Sequence, residues 1–328
     1  MNPKQAIKSI YYGCLDNRLV RGYALRRLTG AALIPMYHGV IPDSSEYSAW
    51  TLMRESMFDA QMQFIARHFV PVTLEDVLQG NFPRGKIAVA VTFDDGLKNN
   101  LDIALPILEK HGIPATVYIS TSAIEQRQPF WWDKVIMAVQ ASGCNEIGPK
   151  YGLANIRLRT GNAEHCWEDI QSLLTALIET SYPQRELLAE QIATDLLGVD
   201  YKIAPEFQVM DIGELRQLAT SPLVSIGVHT HTHDLLTRLD ADGIRSTVLT
   251  GQKKLIEWLG GSIEHFAYPG GDHNQAVVDV IRELQLPSAV TTDSGVYRAD
   301  TNPLRIPRLS MGAFDVAPFW RARLCALA

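Results

Sequence analysis

Apolar residues fall into short continuous runs separated by longer amphipathic stretches. The runs "AALIPMYH" (31–38), "KIAVAVTF" (86–93), "PATVYIS" (114–120) and "LVSIGVHTH" (223–231) read as strands. So do "HFAYPGG" (265–271), which runs into a turn, "SAVTT" (288–292) and "NPLRIPRLSM" (302–311). "LDIALPILEKHG" (101–112) and "AVVDVIRELQL" (276–286) carry helical spacing, the first stopping at Gly112. Near-continuous apolar strands alternating with helices predict a parallel sheet covered on both faces. This many strand–helix units favours a closed barrel over an open sheet. Asp94, Asp95, His229 and the turn after Tyr268 then stand at strand C-terminal ends, on one rim of that barrel.

The rhythm breaks between 124 and 210, where no strand is predicted. "FWWDKVIMAVQ" (130–140), "WEDIQSLLTALIETS" (167–181) and "RELLAEQIATDLLG" (185–198) are helical instead. The expected organisation is a barrel over 31–123 and 211–328, with a helical insertion over 124–210. That insertion is either a lid or substrate-selecting wall, or a passive cap. Residues 1–30 form a separate segment, with Lys4, Lys8, Arg18, Arg21, Arg26 and Arg27 against the single acid Asp16. Interleaved apolar residues make it a basic amphipathic stretch, suited to an anionic membrane surface or to a solvated helix at the domain edge.

The 328 residues are 46% apolar, enough for the core of one large α/β domain. A formal net charge of −6 argues against nucleic acid as the main partner. No run of about 18 apolar residues suggests a membrane-crossing helix. The N-terminus lacks the apolar core of a secretory signal, so the expected compartment is the cytoplasm, with the basic segment at the inner membrane face. Cys14, Cys144, Cys166 and Cys325 form no C-x-x-C pair and are read as reduced thiols.

The chemistry concentrates in two stretches. "VAVTFDDG" (89–96) ends a buried strand in two adjacent carboxylates, Asp94 and Asp95. Asp-Asp-Gly is commonly a turn or a helix cap. "SIGVHTHTHDLL" (225–236) alternates His229, His231 and His233. An extended chain puts all three on one side, whereas a helical turn pairs His229 with His233. Either way His229 and His233 converge. Two imidazoles and one carboxylate bind a divalent metal with positions open for water and substrate. The second carboxylate is then free to accept a proton, and the dication offsets the repulsion between neighbouring anions. A chance histidine cluster at a surface turn is the alternative.

"TFDDG" (92–96) and "HTHTH" (229–233) resemble the first two motifs of the polysaccharide deacetylases, the NodB-homology enzymes of carbohydrate esterase family 4. "FAYPGG" (266–271) resembles the third motif as exopolysaccharide deacetylases carry it. The resemblance covers most of 31–311 outside the insertion. It implies a distorted (β/α)7 barrel and a metal-dependent N-deacetylase. Asp94 would be the general base, and Asp95, His229 and His233 the metal ligands. Zinc is the expected ion, with cobalt or nickel as alternatives. Tyr268 would offer a backbone N–H to the oxyanion, beside Pro269, Gly270 and Gly271. His231 receives no role.

Three departures from the family pattern follow. Ala267 stands where an arginine often orients the base, and Arg308 in "PRLSM" is either its substitute or a plain salt-bridge residue. The fourth motif survives only as "TTDSG" (291–295), with Asp293 as its remnant or a turn residue. The late Leu-x-His is missing, but "IPMYHGV" (34–40) places His38 at the end of an early strand. It resembles the N-terminal "YH" motif of permuted exopolysaccharide deacetylases, which implies that His38 is the general acid. First and last strands of a barrel are neighbours, so the relocation is geometrically simple. The implied substrate is an N-acetylhexosamine-containing glycan or glycolipid, such as a surface-polysaccharide precursor or a lipid-linked sugar. Trp131, Trp132 and Trp50 offer faces for sugar rings or lipid, or else pack helices and loops. An amidohydrolase of the same fold acting on a small non-sugar amide, and a non-catalytic glycan-binding protein, are the rival readings.

Overall fold

The computed structural model describes residues 18–159, 163–315 and 317–325. Seven strands form a closed barrel: β1 (Pro35–Tyr37), β2 (Val91–Phe93), β3 (Ala115–Ile119), β4 (Val224–Val228), β5 (His265–Ala267), β6 (Ser288–Ser294) and β7 (Ile306–Ser310). They pair in chain order, all parallel, and β7 closes on β1 through Leu309↔Pro35 and Ser310↔Met36. The parallel barrel expected from the strand–helix alternation is therefore present.

Alternation along each strand sorts side chains between two layers. In β2, Val91 and Phe93 are buried against the surrounding helices. Phe93 joins Tyr37 and Phe58, whose rings lie 5.1 to 5.7 Å apart. Thr92 between them contacts Arg308 inside the barrel. Ile34, Ala90, Tyr118, Ala267, Val290 and Ile306 fill the barrel interior. Leu74 and Val77, from the short helix Leu74–Gln79, complete that cluster.

The predicted strands are longer than the observed ones. "AALIPMYH" divides at Ile34, and "KIAVAVTF" divides at Ala90. Their first halves, Ala32–Leu33 and Ala88–Val89, pair with each other in a separate three-stranded sheet that also takes Val70–Pro71. The chain thus leaves one sheet and enters the barrel within a single apolar run. Similarly, "LDIALPILEKHG" opens as a wider π-turn over Asn100–Ala104 before the helix Leu105–His111. Pro106 has no N–H to donate to the carbonyl four residues back, which favours the wider winding. Gly112, with φ 64°, ends that helix at the expected position.

Between β3 and β4 lie three long helices: α1 (Trp131–Ser142), α2 (Ala163–Ile178) and α3 (Tyr182–Leu197). Most of α1 from Trp131 to Val139 is buried, as suits a helix covered on all sides. Ile170, Leu173 and Leu177 of α2 and Ala189, Ile192 and Ala193 of α3 are buried with it. The absence of strands expected over 124–210 is corrected by a small antiparallel ribbon, Glu146–Ile147 with Ile156–Arg157. Two-residue strands are too short to leave a periodic signal. Most of the basic N-terminal segment, residues 1–17, lies outside the described residues; its last part is the helix Arg18–Arg27. Among the described residues no helix is long and apolar enough to cross a membrane.

Candidate active site

The loop after β2 separates the two aspartates. Asp94 continues the ladder, its N–H donating to Tyr37 O at 3.0 Å. Asp95 then takes a left-handed backbone, φ 78°, followed by Gly96 at φ 79°. A side chain at Gly96 would put Cβ 2.8 Å from Ile119 Cδ1. Left-handed non-glycine residues cost about 1–3 kcal/mol and collect at functional sites. His233 (φ 57°) and Thr230 (φ 63°) repeat the feature on the facing loop.

Strand alternation, which turns Thr92 inward, sends Asp94 two residues on into the barrel interior as well. Arg308, fully buried on β7, donates from Nη1 to Asp94 Oδ1 at 2.8 Å and from Nη2 to Oδ2 at 2.7 Å. The same guanidinium reaches Thr291 O at 2.8 Å and Thr92 Oγ1 at 3.2 Å, and lies 5.8 Å from the Tyr118 ring centre. Burial alone would raise the Asp94 pKa. The Arg308 charge and hydrogen bonds outweigh burial and hold the carboxyl well below the usual carboxylate range.

Asp95 turns the other way, toward the histidines. Its Oδ1 lies 3.6 Å from His229 Nε2 and 3.3 Å from His233 Nε2. One ligating atom from each of the three residues falls within 4.8 Å of the others. His229 Nδ1 sits 2.8 Å from Ala267 O, a pure acceptor, so Nδ1 carries the proton and Nε2 presents a lone pair. Burial pushes the His229 pKa down to about 4, against the pull of Asp94, so the ring is neutral at pH 7. Asp95 Oδ1 is buried and has no hydrogen-bond partner. An orphaned carboxylate oxygen and two imidazole nitrogens facing one another suit a divalent cation, and this donor set fits zinc, cobalt or nickel.

His231 does not join them. Its Nδ1 lies 2.9 Å from Thr121 Oγ1, and it lines a neighbouring cavity of about 410 Å³. The strand ends at Val228, so the three histidines do not share one side.

His38, at the end of β1, lines the same cavity as Asp94, Asp95, His229 and His233, about 290 Å³ in volume. Its ring meets Trp50 at 5.8 Å. Asn100 Nδ2 donates to His38 O at 2.6 Å and Asn99 Oδ1 accepts from Val40 N–H at 3.1 Å, pinning the loop. Trp50 has room because Gly312 carries no Cβ; one there would lie 2.2 Å from Trp50 Nε1.

The third motif needs correction. The Tyr268 N–H donates to Val290 O at 3.2 Å, and its hydroxyl to Leu304 O at 2.9 Å. The β5–β6 ladder runs one residue past Ala267 and occupies the donor proposed for the oxyanion. Pro269 is buried, has no N–H and does not line the cavity, whereas Gly270, φ 61°, does. Asp293 is 68% exposed, 3.6 Å from His273, and also stays outside the cavity.

The insertion supplies the opposite wall. Trp132 stacks on Phe130 at 4.5 Å and leans on His233 at 4.7 Å, while Trp131 lies under Arg185 at 5.2 Å. Both tryptophans line the cavity, so packing and contact with the site's interior are combined in them. Leu174, Thr175, Ile178 and Arg185 line it too, and the sequence carried no signal for them. Asp133, buried in the first turn of α1, was also missed. Burial, and then the Asp95 charge, raise its carboxyl well above the ordinary range.

A family model described as polysaccharide deacetylase matches residues 82–188 and 205–289. No curated protein matches the chain. Among solved structures, the Streptococcus pyogenes deacetylase PplD in complex with acetate aligns with TM-score 0.59 at 16% identity, covering 91% of this chain and 98% of that one. IcaB from Ammonifex degensii aligns with TM-score 0.57 at 17% identity, covering 91% and 97%. A de-N-acetylase from Aggregatibacter actinomycetemcomitans aligns with TM-score 0.59 at 12% identity, covering 89% and 99%. At these identities the structural likenesses establish the fold alone. The family model spans well over half of the sequence, and on that ground the chain belongs to the polysaccharide deacetylase family of hydrolases.

Proposed function

We propose that this chain is a metal-dependent N-deacetylase acting on an N-acetylhexosamine unit of a glycan or lipid-linked sugar. The observation that supports it most is the partnerless Asp95 Oδ1 meeting two imidazoles beside Asp94. Asp95, His229 and His233 would hold the ion, with zinc as first choice. When bound, such an ion polarises the amide carbonyl and lowers the pKa of water beside it.

Asp94 accepts a proton from the attacking water. The Arg308 fork keeps Asp94 ionised but also makes it a weak base. Ordinary water would not yield a proton to so acidic a carboxyl, so the reading requires a water made acidic beforehand. Gly270 replaces Tyr268 as the backbone donor to the oxyanion, because it is the turn residue that borders the cavity. His38, on another strand end, gives a proton to the departing nitrogen. Water and acetamide become acetate and an amino sugar.

Acetate release from N-acetylglucosamine oligomers and from a lipid-linked N-acetyl sugar tests this, with and without chelator, for wild type and Asp94→Asn. Wild type should release acetate, and Asp94→Asn should be slower by about 10²–10⁴-fold, the usual contribution of a general base. Chelator-resistant release sinks the metal. Turnover of small non-sugar amides alone sinks the glycan, and binding without turnover supports a non-catalytic glycan-binding protein.

A further inference from the structure

Arg185, near the start of α3, borders the same cavity as Asp94 and the metal-ligand candidates, yet is only 6% exposed. Its Nε donates to Leu177 O at 3.2 Å, and its Nη2 to Ile178 O at 2.8 Å and Thr180 O at 2.9 Å. These carbonyls lie at the C-terminal end of α2, where a cation is welcome; Leu177 O also accepts from the Thr180 N–H at 3.0 Å, and Ile178 O from Arg238 Nη1 at 2.6 Å. Trp131 covers one face of the guanidinium. Among the described residues no carboxylate pairs with it, and its Nη1 makes no hydrogen bond.

A guanidinium stays charged at any physiological pH. Withdrawing it from water without a paired counter-ion is unfavourable. Three neutral carbonyls and the charges of Glu186 and Asp234, which do not pair with it, offset only part of that cost, and the Arg238 charge adds to it. The contrast with Arg308 is direct. Both are buried beside the site, but Arg308 has the Asp94 carboxylate, whereas Arg185 lines the cavity with its Nη1 unpaired. The space between is small. At about 290 Å³ it lies at the lower end of ligand cavities. It holds roughly one sugar unit, so whatever meets Arg185 belongs to the sugar whose amide meets Asp94.

We propose that Arg185 receives an anionic oxyacid group, a phosphate ester or a carboxylate, carried by the sugar that is deacetylated. With Nε and Nη2 already donating to carbonyls, the two N–H bonds of Nη1 remain to donate charge-assisted hydrogen bonds to an oxygen of such a group. This inference deepens the deacetylase reading and rests on it.

The test compares three probes: the methyl glycoside of N-acetylglucosamine, N-acetylglucosamine 1-phosphate and N-acetylglucosaminuronic acid. Acetate release is measured for wild type, Arg185→Lys and Arg185→Gln. Wild type should prefer one of the two anionic probes over the neutral one, and which of the two distinguishes phosphate from carboxylate. Arg185→Gln should lower the anionic-to-neutral ratio of kcat/KM by about 10- to 100-fold, mainly through KM, as loss of a charge-assisted hydrogen-bonded pair does. Arg185→Lys should fall between. Equal wild-type rates on charged and neutral probes, or an equal loss on all three in Arg185→Gln, overturns the proposal and leaves the deacetylase standing.

Calorimetric titration of N-acetylglucosamine 1-phosphate and N-acetylglucosaminuronic acid into the Asp94→Asn protein, with and without Arg185→Gln, reads binding apart from turnover. Binding that needs Arg185, with no acetate from any probe, sustains the anion site and sinks the deacetylase. Binding indifferent to Arg185, or no binding of either, sinks the anion site. Should Arg185→Gln fail to fold, Arg185→Lys and competition by inorganic phosphate decide. Phosphate should inhibit release from the preferred anionic probe, and equal turnover of all probes without such inhibition refutes the site.

Discussion

Arg308→Met removes the partner of Asp94 while keeping a side chain of similar length. Both residues are buried, and two hydrogen bonds of 2.7 and 2.8 Å join them. Breaking such a pair from one side leaves an uncompensated charge and costs about 3–5 kcal/mol. With an unfolding entropy of about 2.1 cal/mol/K per residue, a chain of 328 residues loses roughly 1.5 °C in Tm per kcal/mol, so the expected drop is about 4–7 °C. Asp94→Asn combined with Arg308→Met removes both charges and should recover at least half of that loss. The pH dependence has a definite sign. In wild type the Asp94 pKa is depressed below its unfolded value of about 3.8. Its stabilisation is therefore present above pH ~4 and lost as pH falls through the lowered pKa. In Arg308→Met burial, the largest influence on Asp94, is no longer offset by the guanidinium and raises the carboxyl against the weaker pull of His229 and His38. The penalty is then largest at neutral pH and shrinks as the solution is acidified and Asp94 takes a proton. Thermal unfolding by circular dichroism from about pH 2 to 8, in chelator so that metal contributes nothing, reads both effects. A Tm within about 1.5 °C of wild type at pH 7, or a double variant no more stable than Arg308→Met, refutes the view that this pair holds Asp94 charged.

Adding zinc to chelator-treated protein should raise Tm by about 4 °C at a hundredfold excess over Kd, and Asp95→Ala should abolish the rise. No shift in wild type means that Asp95, His229 and His233 are not a metal site. Gly312→Ala places a methyl group 2.2 Å from the position of Trp50 Nε1. It should displace Trp50 from His38, change tryptophan fluorescence and lower activity, with an overpacking penalty of about 1–3 kcal/mol; unchanged fluorescence and activity would remove Trp50 as the support of His38. Asp133 has a carboxyl pKa raised by burial, so wild type loses stability as pH rises through that pKa. Asp133→Asn should match or exceed wild type in Tm at pH 8 in chelator, and a loss above about 2 kcal/mol would show instead a paired, ionised carboxylate.

What the sequence revealed follows from how local its determinants are. Asp94, Asp95, His229 and His38 stand at strand ends, and strand ends are written in short apolar runs. Parallel strands in chain order bring those ends to one rim, so convergence needs only the topology. The failure at Tyr268 is of another kind. Whether a backbone N–H is free depends on how far the β5–β6 ladder runs, and register between strands is not a local property. His231 illustrates the same boundary. The alternation of "HTHTH" suggests a shared side only while the chain stays extended, and left-handed turns at Thr230 and His233 end that condition. Arg308 was visible as a candidate, but its bidentate grip on Asp94 depends on barrel closure, which sets β7 and β2 on either side of β1. Arg185 gave no signal at all. Nothing in "YPQRELL" says that α3 will bring a guanidinium to the barrel mouth, because that position is set by how α1, α2 and α3 pack on one another.

The difference has a physical consequence for the division of labour in this enzyme. Groups assigned to the chemistry hang on barrel strands or the turns that directly follow them, and their backbones are tied to neighbouring strands. The His229 N–H, for example, donates to Ile119 O at 2.9 Å. A substitution there disturbs the ladder and the donor set together. The facing wall, with Trp131, Leu174, Ile178 and Arg185, stands on helices that contact one another through apolar side chains. Such contacts tolerate volume-conserving exchange at less than about 1.5 kcal/mol. Changes in α2 and α3 can therefore alter which sugar enters without moving Asp94, Asp95 or the histidines. On this argument the barrel determines the bond that is cut, and the insertion determines whose bond it is. Variants of Leu174 and Ile178 should accordingly shift KM among substrates more than kcat on any one of them.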